Sequence, residues 1–373
     1  MKDRFIKVEN LQNQKTQKEQ DNSGGKRGSN TSKHESLEDN LKYNLKIERE
    51  LIKYKVKTRE QEEKINYLLK EIDILERKIE CIEELENNDE KIKIECEKRH
   101  NKKEAVAVAL ASDWHVEEKV EKSVVNNLNE YNPDIASLRI KYFFKNLLRL
   151  IRKEQYTSII NNLVLWLGGD LMSGYIHEEL IESNYMSPTE TLLFLKKHLI
   201  SGIEFLCKES NLKIYIPTNY GNHGRTGEKL KVSTGYKNSY EYLLYKILED
   251  YFLEKREKRV IMQIEKGEFN FIQVFDKTIR SSHGYHIKYN GGIGGITIPA
   301  MKFIATQNRI KHADYDIWGH HHQYFTNPFF CQNGSLIGIS AYGRRIGGEE
   351  PKQAFFIIDK KRGITTQMPI FTN

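Results

Sequence analysis

Cysteine is scarce in this sequence, and its positions exclude two kinds of protein. The four cysteines lie far apart, and none of them form a C-x-x-C pair: Cys81, Cys96, Cys207 and Cys331. Such cysteines provide neither the disulfide framework of a small secreted domain nor a zinc site made of thiolates. We therefore expect a protein of a reducing, cytoplasmic compartment.

Long apolar runs are missing as well. No uninterrupted apolar stretch approaches the roughly 20 residues that a membrane-spanning helix needs. The N-terminus has no apolar core of the kind found in signal peptides. The sequence therefore predicts no association with a membrane.

The excess of positive charge is modest. The chain has 59 Lys and Arg residues against 52 Asp and Glu residues, a net charge of +7. Residues 1–104 are almost balanced, with 25 basic and 24 acidic residues, so the excess belongs to the rest of the chain. A basic excess favours polyanionic partners such as nucleic acid, but it serves solubility equally well.

Three regions differ in composition. Residues 1–35 are rich in Gln, Asn, Ser, Gly and Lys. They cannot bury enough apolar area to offset the entropy of ordering, so they are predicted to be a disordered tail. Residues 36–104 are predicted to form a charged helix, and residues 105–373 have the alternating apolar runs of an α/β domain.

The predicted helix carries a heptad pattern. Its apolar positions are Ile65, Ile72 and Ile79, with Leu68, Leu75 and Ile82 at the offset position. Isoleucine at one position and leucine at the other favour a parallel two-stranded coiled coil, and hence a homodimer. Three heptads also fit a charged helix that packs on the α/β domain of the same chain, so both interpretations stay open.

Five short polar clusters follow apolar, β-like runs. They are Asp113–His115, Gly168–Asp170, Gly221–His223, Ser282–Gly284 and Gly319–His322. Each cluster alone is an ordinary turn, helix cap or core histidine. In open α/β sheets, however, the loops after the strands converge on one crevice. The joint occurrence therefore predicts one common site.

The residue types in these clusters suit metal ions. Seven of these residues, namely two Asp, one Asn and four His, would combine carboxylate, amide and imidazole ligands, which intermediate ions such as Mn, Fe or Zn accept. If one Asp bridges, this set is enough for two ions about 3.5–4 Å apart. Such a pair of ions can activate a water molecule and stabilise an in-line displacement at phosphorus.

The ordered series D-x-H, G-D, G-N-H, H-G and G-H-x-H resembles the calcineurin-like metallophosphoesterase family. The resemblance implies an α/β fold of four layers, with two mixed β-sheets flanked by helices. It also implies two divalent ions (Mn, Fe or Zn, with Mn favoured) and the following roles. Asp113, His115 and His322 would bind the first ion; Asn222, His283 and His320 the second; Asp170 would bridge both; and His223 would protonate the leaving oxygen or contact the phosphoryl group.

The sequence departs from the family pattern at two points. Gly224 and Arg225 follow G-N-H where the family has an acidic residue, and Ser173 replaces Asp or Asn at the end of G-D-x-x-D/N. Arg225, together with Arg344 and Arg345, is a candidate for binding the substrate phosphate. An exposed loop or hairpin is the alternative interpretation for each arginine.

The resulting hypothesis is a metal-dependent phosphoesterase whose dinuclear site activates a bridging hydroxide for in-line attack. Three features favour nucleic-acid or nucleotide phosphodiesters: the basic balance, the adjoining coiled coil, and Trp114 and Tyr175, on which a base could stack. The alternatives are a phosphomonoesterase of the protein phosphatase kind and a non-catalytic coiled-coil adaptor with a vestigial site. A structural protein with one zinc ion on His283, His320 and His322 is a further alternative.

Overall fold

The chain forms two compact units, Met1–Glu97 and Lys98–Asn373. The computed structural model describes residues 42–56, 58, 61–69, 103–288, 295–341 and 343–373, without the side chains of residues 345 and 346. In the first unit, the described residues are helical and almost all exposed.

The heptad prediction falls only partly on described residues. Ile65 and Leu68 are exposed on helical segment 61–69. The four later heptad residues and the predicted disordered tail lie outside the described residues. The coiled coil and the region boundaries near residues 35 and 104 therefore stay predictions.

The second unit is built from two β-sheets. Its described strands are β1 Lys103–Ala111, β2 Ser158–Leu167, β3 Lys213–Thr218, β4 Val260–Ile264, β5 Asn270–Val274, β6 Lys277–Ser281, β7 Tyr315–Trp318, β8 Phe325–Thr326, β9 Phe330–Gln332, β10 Lys352–Asp359 and β11 Gly363–Phe371. The first sheet has the order β11-β10-β1-β2-β3-β4, in which β1 to β4 are parallel and β10 and β11 are antiparallel. The second sheet has the order β5-β6-β7-β9-β8 and is also mixed.

The alternation of residue size along β1 explains how the sheets pack. Successive side chains of a strand point to opposite faces of the sheet. The alanines from Ala105 to Ala111 belong to the core under the helices, where small side chains let the helices approach. Val106, Val108 and Leu110 belong to the core between the two sheets.

Helices flank both sheets. The described helices are α1 Pro133–Glu154, α2 Glu178–Ser183, α3 Pro188–Glu209, α4 Tyr240–Glu254, α5 Thr297–Asn308 and α6 Gly343–Ile346. Residues of α1, α3 and α4 pack on the first sheet, and α5 packs on the second through Ala300 and Ile304. The predicted α/β fold of two mixed sheets flanked by helices is confirmed.

Two long helices begin with capping signals that are visible in the sequence. The Asn132 side chain accepts a hydrogen bond from the backbone amide of Ile135 at the start of α1. At the start of α3, Ser187 and Glu190 form a reciprocal capping box. Both caps satisfy amides that have no partner within the helix. None of the helices in the described ranges combines the length and apolar character needed to cross a bilayer.

Candidate metal centre

The five polar clusters meet at one edge of the two sheets. The amide of Asp113 donates to the carbonyl of Gly169 over 3.0 Å, which joins the loop after β1 to the loop after β2. The amide of Gly319 donates to the carbonyl of His283 over 2.9 Å, which joins the loops after β7 and β6. Parallel strands place their carboxyl ends at the same edge, so this convergence follows from the topology.

Seven ligand-type side chains form three overlapping groups. The ligand atoms of each group lie within 4.8 Å of one another, close enough to hold a metal ion. The groups are Asp113 with His115 and His322; Asp170 with His283 and His320; and Asp170 with His115 and His223. Asp170 therefore belongs to two groups: the second group, and the third, which shares His115 with the first.

The first group is held together at short distances. Nε2 of His115 lies 3.2 Å from Nε2 of His322, and that atom of His322 lies 3.6 Å from Oδ1 of Asp113. Oδ1 of Asp113 also accepts a hydrogen bond from the backbone amide of His320 over 2.9 Å. Its Oδ2 accepts one from the hydroxyl of Ser112 over 2.5 Å. These hydrogen bonds orient the carboxylate before any ion is bound.

Asp170 is the centre of the second group. Its Oδ2 lies 2.9 Å from Nε2 of His283, and its Oδ1 accepts the amide of His223 over 2.8 Å. The rings of His283 and His320 are 5.3 Å apart between centroids. The two carboxylate oxygens of Asp170 thus face two different loops.

The hydrogen-bond network assigns the tautomers of two histidines. The hydroxyl of Ser173 donates to Glu118 over 3.0 Å, so it accepts from Nδ1 of His115, which lies 2.8 Å away. In the same way, Nδ1 of His283 donates to the carbonyl of Gly168 over 2.8 Å. In neutral His115 and His283, the lone pair is therefore on Nε2, the atom that faces the site.

The backbone of the site is held in an unusual conformation. Five ligand-type residues have positive φ: Asp113 (57°), His115 (47°), Asp170 (49°), His320 (69°) and His322 (55°). Residues other than glycine rarely adopt this left-handed region, and each such residue costs of order 1–3 kcal/mol. Strained residues cluster at functional sites, so this concentration marks the edge as one.

Close backbone approach explains the glycine in G-N-H. A Cβ atom built on Gly221 would lie 2.0 Å from Oδ1 of Asp170. No side chain fits at that distance, so only glycine lets the loop after β3 approach the carboxylate. This contact places Asn222, the next residue, beside Asp170.

Asn222 has the chemistry expected of a metal ligand. Its Oδ1 is buried and has no hydrogen-bond partner. A buried, unpartnered oxygen costs free energy unless something else binds it. Nδ1 of His322 is also buried without a hydrogen bond. A divalent cation would satisfy Asn222, so the residues present fit the ions that the resemblance implies.

Burial controls the charge state of several ligands. It raises the pKa of Asp113 to about 7 and lowers the pKa of His322 to about 3. The pKa of His320 is held well below its ordinary value by burial and then by the charge of His283. His320 and His322 are therefore neutral at pH 7, the form in which histidine binds metals.

His223 is the half-buried member of the third group, beside His115 and Asp170. Its Nδ1 lies 3.0 Å from the carbonyl of Ser173 and donates to it, so Nε2 is the atom left for chemistry. Its ring is nearly perpendicular to that of His115, with centroids 4.8 Å apart. This position suits a group that exchanges a proton with a substrate bound at the site.

Arg225 fixes the loop after G-N-H. Its guanidinium donates to the carbonyl of Asn222 over 2.5 Å and to the carbonyls of Gly227 and Glu228. These bonds hold the positive charge in place beside Asn222. Binding of a phosphate by the remaining donors of this side chain stays a prediction.

The other two candidate arginines lie in α6. Arg344 is exposed, and its Nη1 lies 3.5 Å from the carbonyl of Val124. Arg345 lies in the same helix, but its side chain is outside the described part of the structure. Arg344 does not belong to the groups described above.

The expectation that Trp114 stacks on a base is wrong. Trp114 is fully buried, packs edge-on against Phe143, and donates its Nε1–H to Gln353 over 3.1 Å. In the sequence Asp-Trp-His, the central side chain turns away from the site and into the core. Tyr175 is 44% exposed and stays a candidate for contact with a base.

A buried glutamate that sequence analysis did not identify joins two of the site loops. Oε1 of Glu241 accepts the amide of Leu171, and Oε2 accepts the amide of Gly221, both over 2.7 Å. Burial, and then the charge of Asp170, raises the pKa of Glu241 to about 7. Its only sequence signal is its place in the first turn of α4. Glutamate is common there in any helix, because the helix dipole favours a negative charge at the N-terminus.

Glu117 holds the same loop from the other side. Its Oε1 accepts the amides of Ser173 and Gly174 over 2.7 and 2.8 Å. Burial raises the pKa of Glu117 to about 8. The loop after β2 is therefore fixed by one carboxyl group on each side.

The structure does not favour a single zinc site made of three histidines. His283 and His320 lie together with Asp170, whereas His322 lies with Asp113 and His115. The three histidines are thus divided between two groups. Each group combines histidine with a carboxylate.

Comparison with known proteins gives structural matches only. No protein-family model and no curated protein match the sequence. Among solved structures, the chain is similar to a single mutant of Vps29 from Entamoeba histolytica, with 12% identity and a TM-score of 0.30 over 70% of this chain and 98% of that chain.

Two further matches have comparable values. A predicted phosphoesterase from Streptococcus pneumoniae is 10% identical, with a TM-score of 0.26 over 71% of this chain and 98% of that chain. The sulfate thiohydrolase SoxB from Thermus thermophilus is 8% identical, with a TM-score of 0.30 over 74% of this chain and 58% of that chain. Similarities this low assign no function.

Proposed function

We propose that this protein is a phosphoesterase that uses two divalent metal ions. The observation that carries the proposal is the position of Asp170, which lies between two groups of histidine and carboxylate ligands. A shared carboxylate is the arrangement that a dinuclear site needs.

The ligands divide according to these groups. Asp113, His115 and His322 would hold one ion, and His283 and His320 the other, with Asp170 shared. Asn222 would complete the second ion through its unpartnered Oδ1. Mixed carboxylate, amide and imidazole ligands favour Mn, Fe or Zn, and we propose Mn.

The ions, when bound, would neutralise charge on the phosphate and activate the attacking water. The protein supplies the rest. Glu117 and Glu241 fix the loop that carries Asp170, and Ser173 orients His115. His223, when protonated, offers an Nε2–H that can donate a hydrogen bond to the phosphoryl group or a proton to the leaving oxygen.

We propose a phosphodiester of a nucleic acid or nucleotide as the substrate. Three observations support this choice: the basic excess outside residues 1–104, Arg225 fixed beside Asn222, and the exposed ring of Tyr175. Cations and exposed aromatic rings are the features that bind phosphates and unpaired bases.

The test uses metal-stripped protein reloaded with Mn. Hydrolysis is measured on an aryl phosphodiester, an aryl phosphomonoester, single-stranded DNA and double-stranded DNA, and bound metal is counted. We expect two ions per chain and a preference for diesters. Asp170→Asn should abolish hydrolysis, whereas the same change at exposed Asp276, in the turn before β6, should leave it intact.

Other outcomes separate the alternatives. A preference for the monoester would indicate a phosphomonoesterase. Two bound ions without hydrolysis of any substrate would favour a non-catalytic adaptor. A single bound ion in wild-type protein would overturn the dinuclear proposal.

A further inference from the structure

A cleft lined by basic and tyrosine side chains opens beside the second ligand group. Its lining includes Tyr220, Gly221, Arg225, Lys229, Lys231 and Tyr285. The enclosed volume is about 20 Å³, room for about one water molecule. A larger ligand would therefore lie along the rim of the cleft and not inside it.

The inner end of the cleft reaches the metal centre. Gly221 is the residue whose backbone contacts the Asp170 carboxylate, and it precedes Asn222. Tyr285 lies two residues after His283 in the loop that follows β6. A strand that runs along the rim of the cleft would thus continue from a phosphate held at the second ligand group.

One wall of the cleft is a basic loop, residues 225–239. Its base is closed by hydrogen bonds from the amide of Thr226 to the carbonyl of Asn238 (2.9 Å) and from the amide of Tyr240 to the carbonyl of Gly224 (2.8 Å). The loop contains four cations, Arg225, Lys229, Lys231 and Lys237, but one anion, Glu228. Residues 226–234 are all exposed.

The lysines of this loop keep their charge unneutralised. Within the described part of the chain, neither Lys229 nor Lys231 forms an ion pair with a carboxylate; Nζ of Lys231 lies 3.4 Å from the amide oxygen of Asn238. A basic segment closed at its base and free of acidic partners keeps its positive charge available for a polyanion.

Tyrosine rings alternate with these cations. Tyr236 of the basic loop has Nζ of Lys266 5.6 Å and Nζ of Lys237 5.8 Å from its ring centroid. Tyr285 lines the cleft and is half-buried, whereas Tyr220 is 9% exposed and belongs to the core. Aromatic rings interleaved with lysines bind unpaired bases by stacking and phosphates by charge. Paired bases are already stacked within a duplex and cannot use such rings.

We propose that the cleft and the basic loop bind single-stranded nucleic acid next to the scissile phosphodiester. This inference rests on the proposed phosphoesterase function and specifies its substrate. A base stacks on Tyr236 or Tyr285 at the rim of the cleft, and phosphates farther along the strand contact Lys229 and Lys231. The protein accordingly prefers a polynucleotide to a mononucleotide.

Binding is tested apart from cleavage, in Asp170→Asn protein. The anisotropy of a fluorescein-labelled oligothymidylate reports its affinity over a range of salt concentrations. Replacing both Lys229 and Lys231 by glutamine should weaken binding and reduce the salt slope by about 1.4, since each phosphate contact on a single strand contributes about 0.7. Between 50 and 200 mM salt, the affinity of the protein with both lysines should then fall about sevenfold more than that of the double variant.

The matched control replaces Lys153 and Lys208 by glutamine. These exposed lysines lie at the C-terminal ends of α1 and α3, away from the basic loop in the fold. This variant should keep both the affinity and the salt slope. An unchanged slope in the Lys229/Lys231 variant, or equal loss in the control, would overturn the proposal.

Two more measurements complete the test. The proposal would also be refuted if thymidine monophosphate or polyglutamate displaced the labelled strand as effectively as unlabelled oligothymidylate does. Displacement by polyglutamate would indicate an acidic protein partner instead. In Mn-loaded protein with Asp170 intact, the Lys229/Lys231 change should lower kcat/KM for the oligonucleotide more than for the aryl phosphodiester. If binding follows the prediction but no diester is hydrolysed, the proposed function fails and the nucleic-acid site remains.

Discussion

Oδ2 of Asp170 lies 2.9 Å from Nε2 of His283, and both side chains are almost fully buried. Burial is the largest single influence and would lower the pKa of His283, but the charge and hydrogen bond of Asp170, the charge of Asp113 and the hydrogen bond to Gly168 together raise that pKa to about 10. Burial would likewise raise the pKa of Asp170, yet His283 and then His223 hold it well below its ordinary value. Without metal, the two residues form an ion pair.

Metal binding should therefore release a proton from His283. At pH 8 the imidazolium is the main form in the metal-free protein, and an ion can bind Nε2 only after the proton leaves. Affinity at this position should rise with pH up to about 10. Calorimetry in two buffers of different ionisation enthalpy measures the release. The effect should disappear in His283→Gln; identical heats in both buffers for wild-type protein would contradict the assignment.

Asn222→Ala should remove metal without harming the fold. The oxygen lost in this variant is buried and has no protein partner, so its removal relieves a cost of about 1–3 kcal/mol in the metal-free protein. We expect the metal-free variant to melt at or above the wild-type temperature while it binds one ion fewer. A lower melting temperature with normal metal content would show that Asn222 is structural.

Ser173→Ala should weaken binding of the first ion. The hydroxyl of Ser173 connects His115 to Glu118 and fixes the tautomer that presents Nε2 to the site. Loss of such a partner typically lowers metal affinity about 10–100-fold. Competition with a chelator of known affinity gives the value, and Ser123→Ala, at an exposed position, is the control. Equal affinities in both variants would exclude the positioning role.

Glu241→Gln should destabilise the protein and impair metal binding together. Both carboxylate oxygens accept backbone amides, and glutamine can replace only one of them as an acceptor. The free energy of unfolding should fall by about 1–3 kcal/mol. Glu254→Gln, at an exposed position of the same helix, should change it by less than about 0.5 kcal/mol. A variant as stable as the control would show that the two loops do not depend on this clamp.

The predicted coiled coil is tested by the mass of the full chain in solution. Ile65 and Leu68 are exposed on a helical segment and would lie in the seam between two copies. Light scattering should give a dimer for wild-type protein and a monomer for the Ile65→Asp/Leu68→Asp variant. Hydrolysis per chain serves as the control for folding of the other unit. A wild-type monomer would favour the alternative of a helix that packs on its own chain.

Sequence alone located the strand ends that carry the site because each combines an apolar run with a polar cluster. The apolar run before the Gly319–His322 cluster is strand β7, Tyr315–Trp318. The same logic missed α3, although Ser187 and Glu190 carry its capping box. Besides the fully buried residues along one face, this helix carries partly buried apolar residues such as Leu192 and Phe205. Its apolar residues are therefore not confined to one face, and the periodic pattern that indicates a helix is weak.

The residues that fix the site were harder to predict than its ligands. Glu241 and Glu117 act on amides that are distant in the chain or in another loop, and no local spacing reveals that contact. Trp114 was misjudged because neighbouring ligands suggested exposure, whereas its side chain enters the core. The direction of a side chain in an irregular loop depends on tertiary packing, which a linear pattern does not contain.

The left-handed backbone at five ligand positions, Asp113 and Asp170 among them, restricts mutational drift in two ways. Asn, Asp and His are the residues other than glycine that adopt this conformation most readily. The same three types supply metal ligands. A substitution there that loses the ligand therefore also meets an unfavourable backbone, except when glycine enters. Most random substitutions at these positions should therefore destabilise the fold as well as remove a metal ligand. In a copy of this protein that no longer needs its metal, glycine is the replacement to expect first.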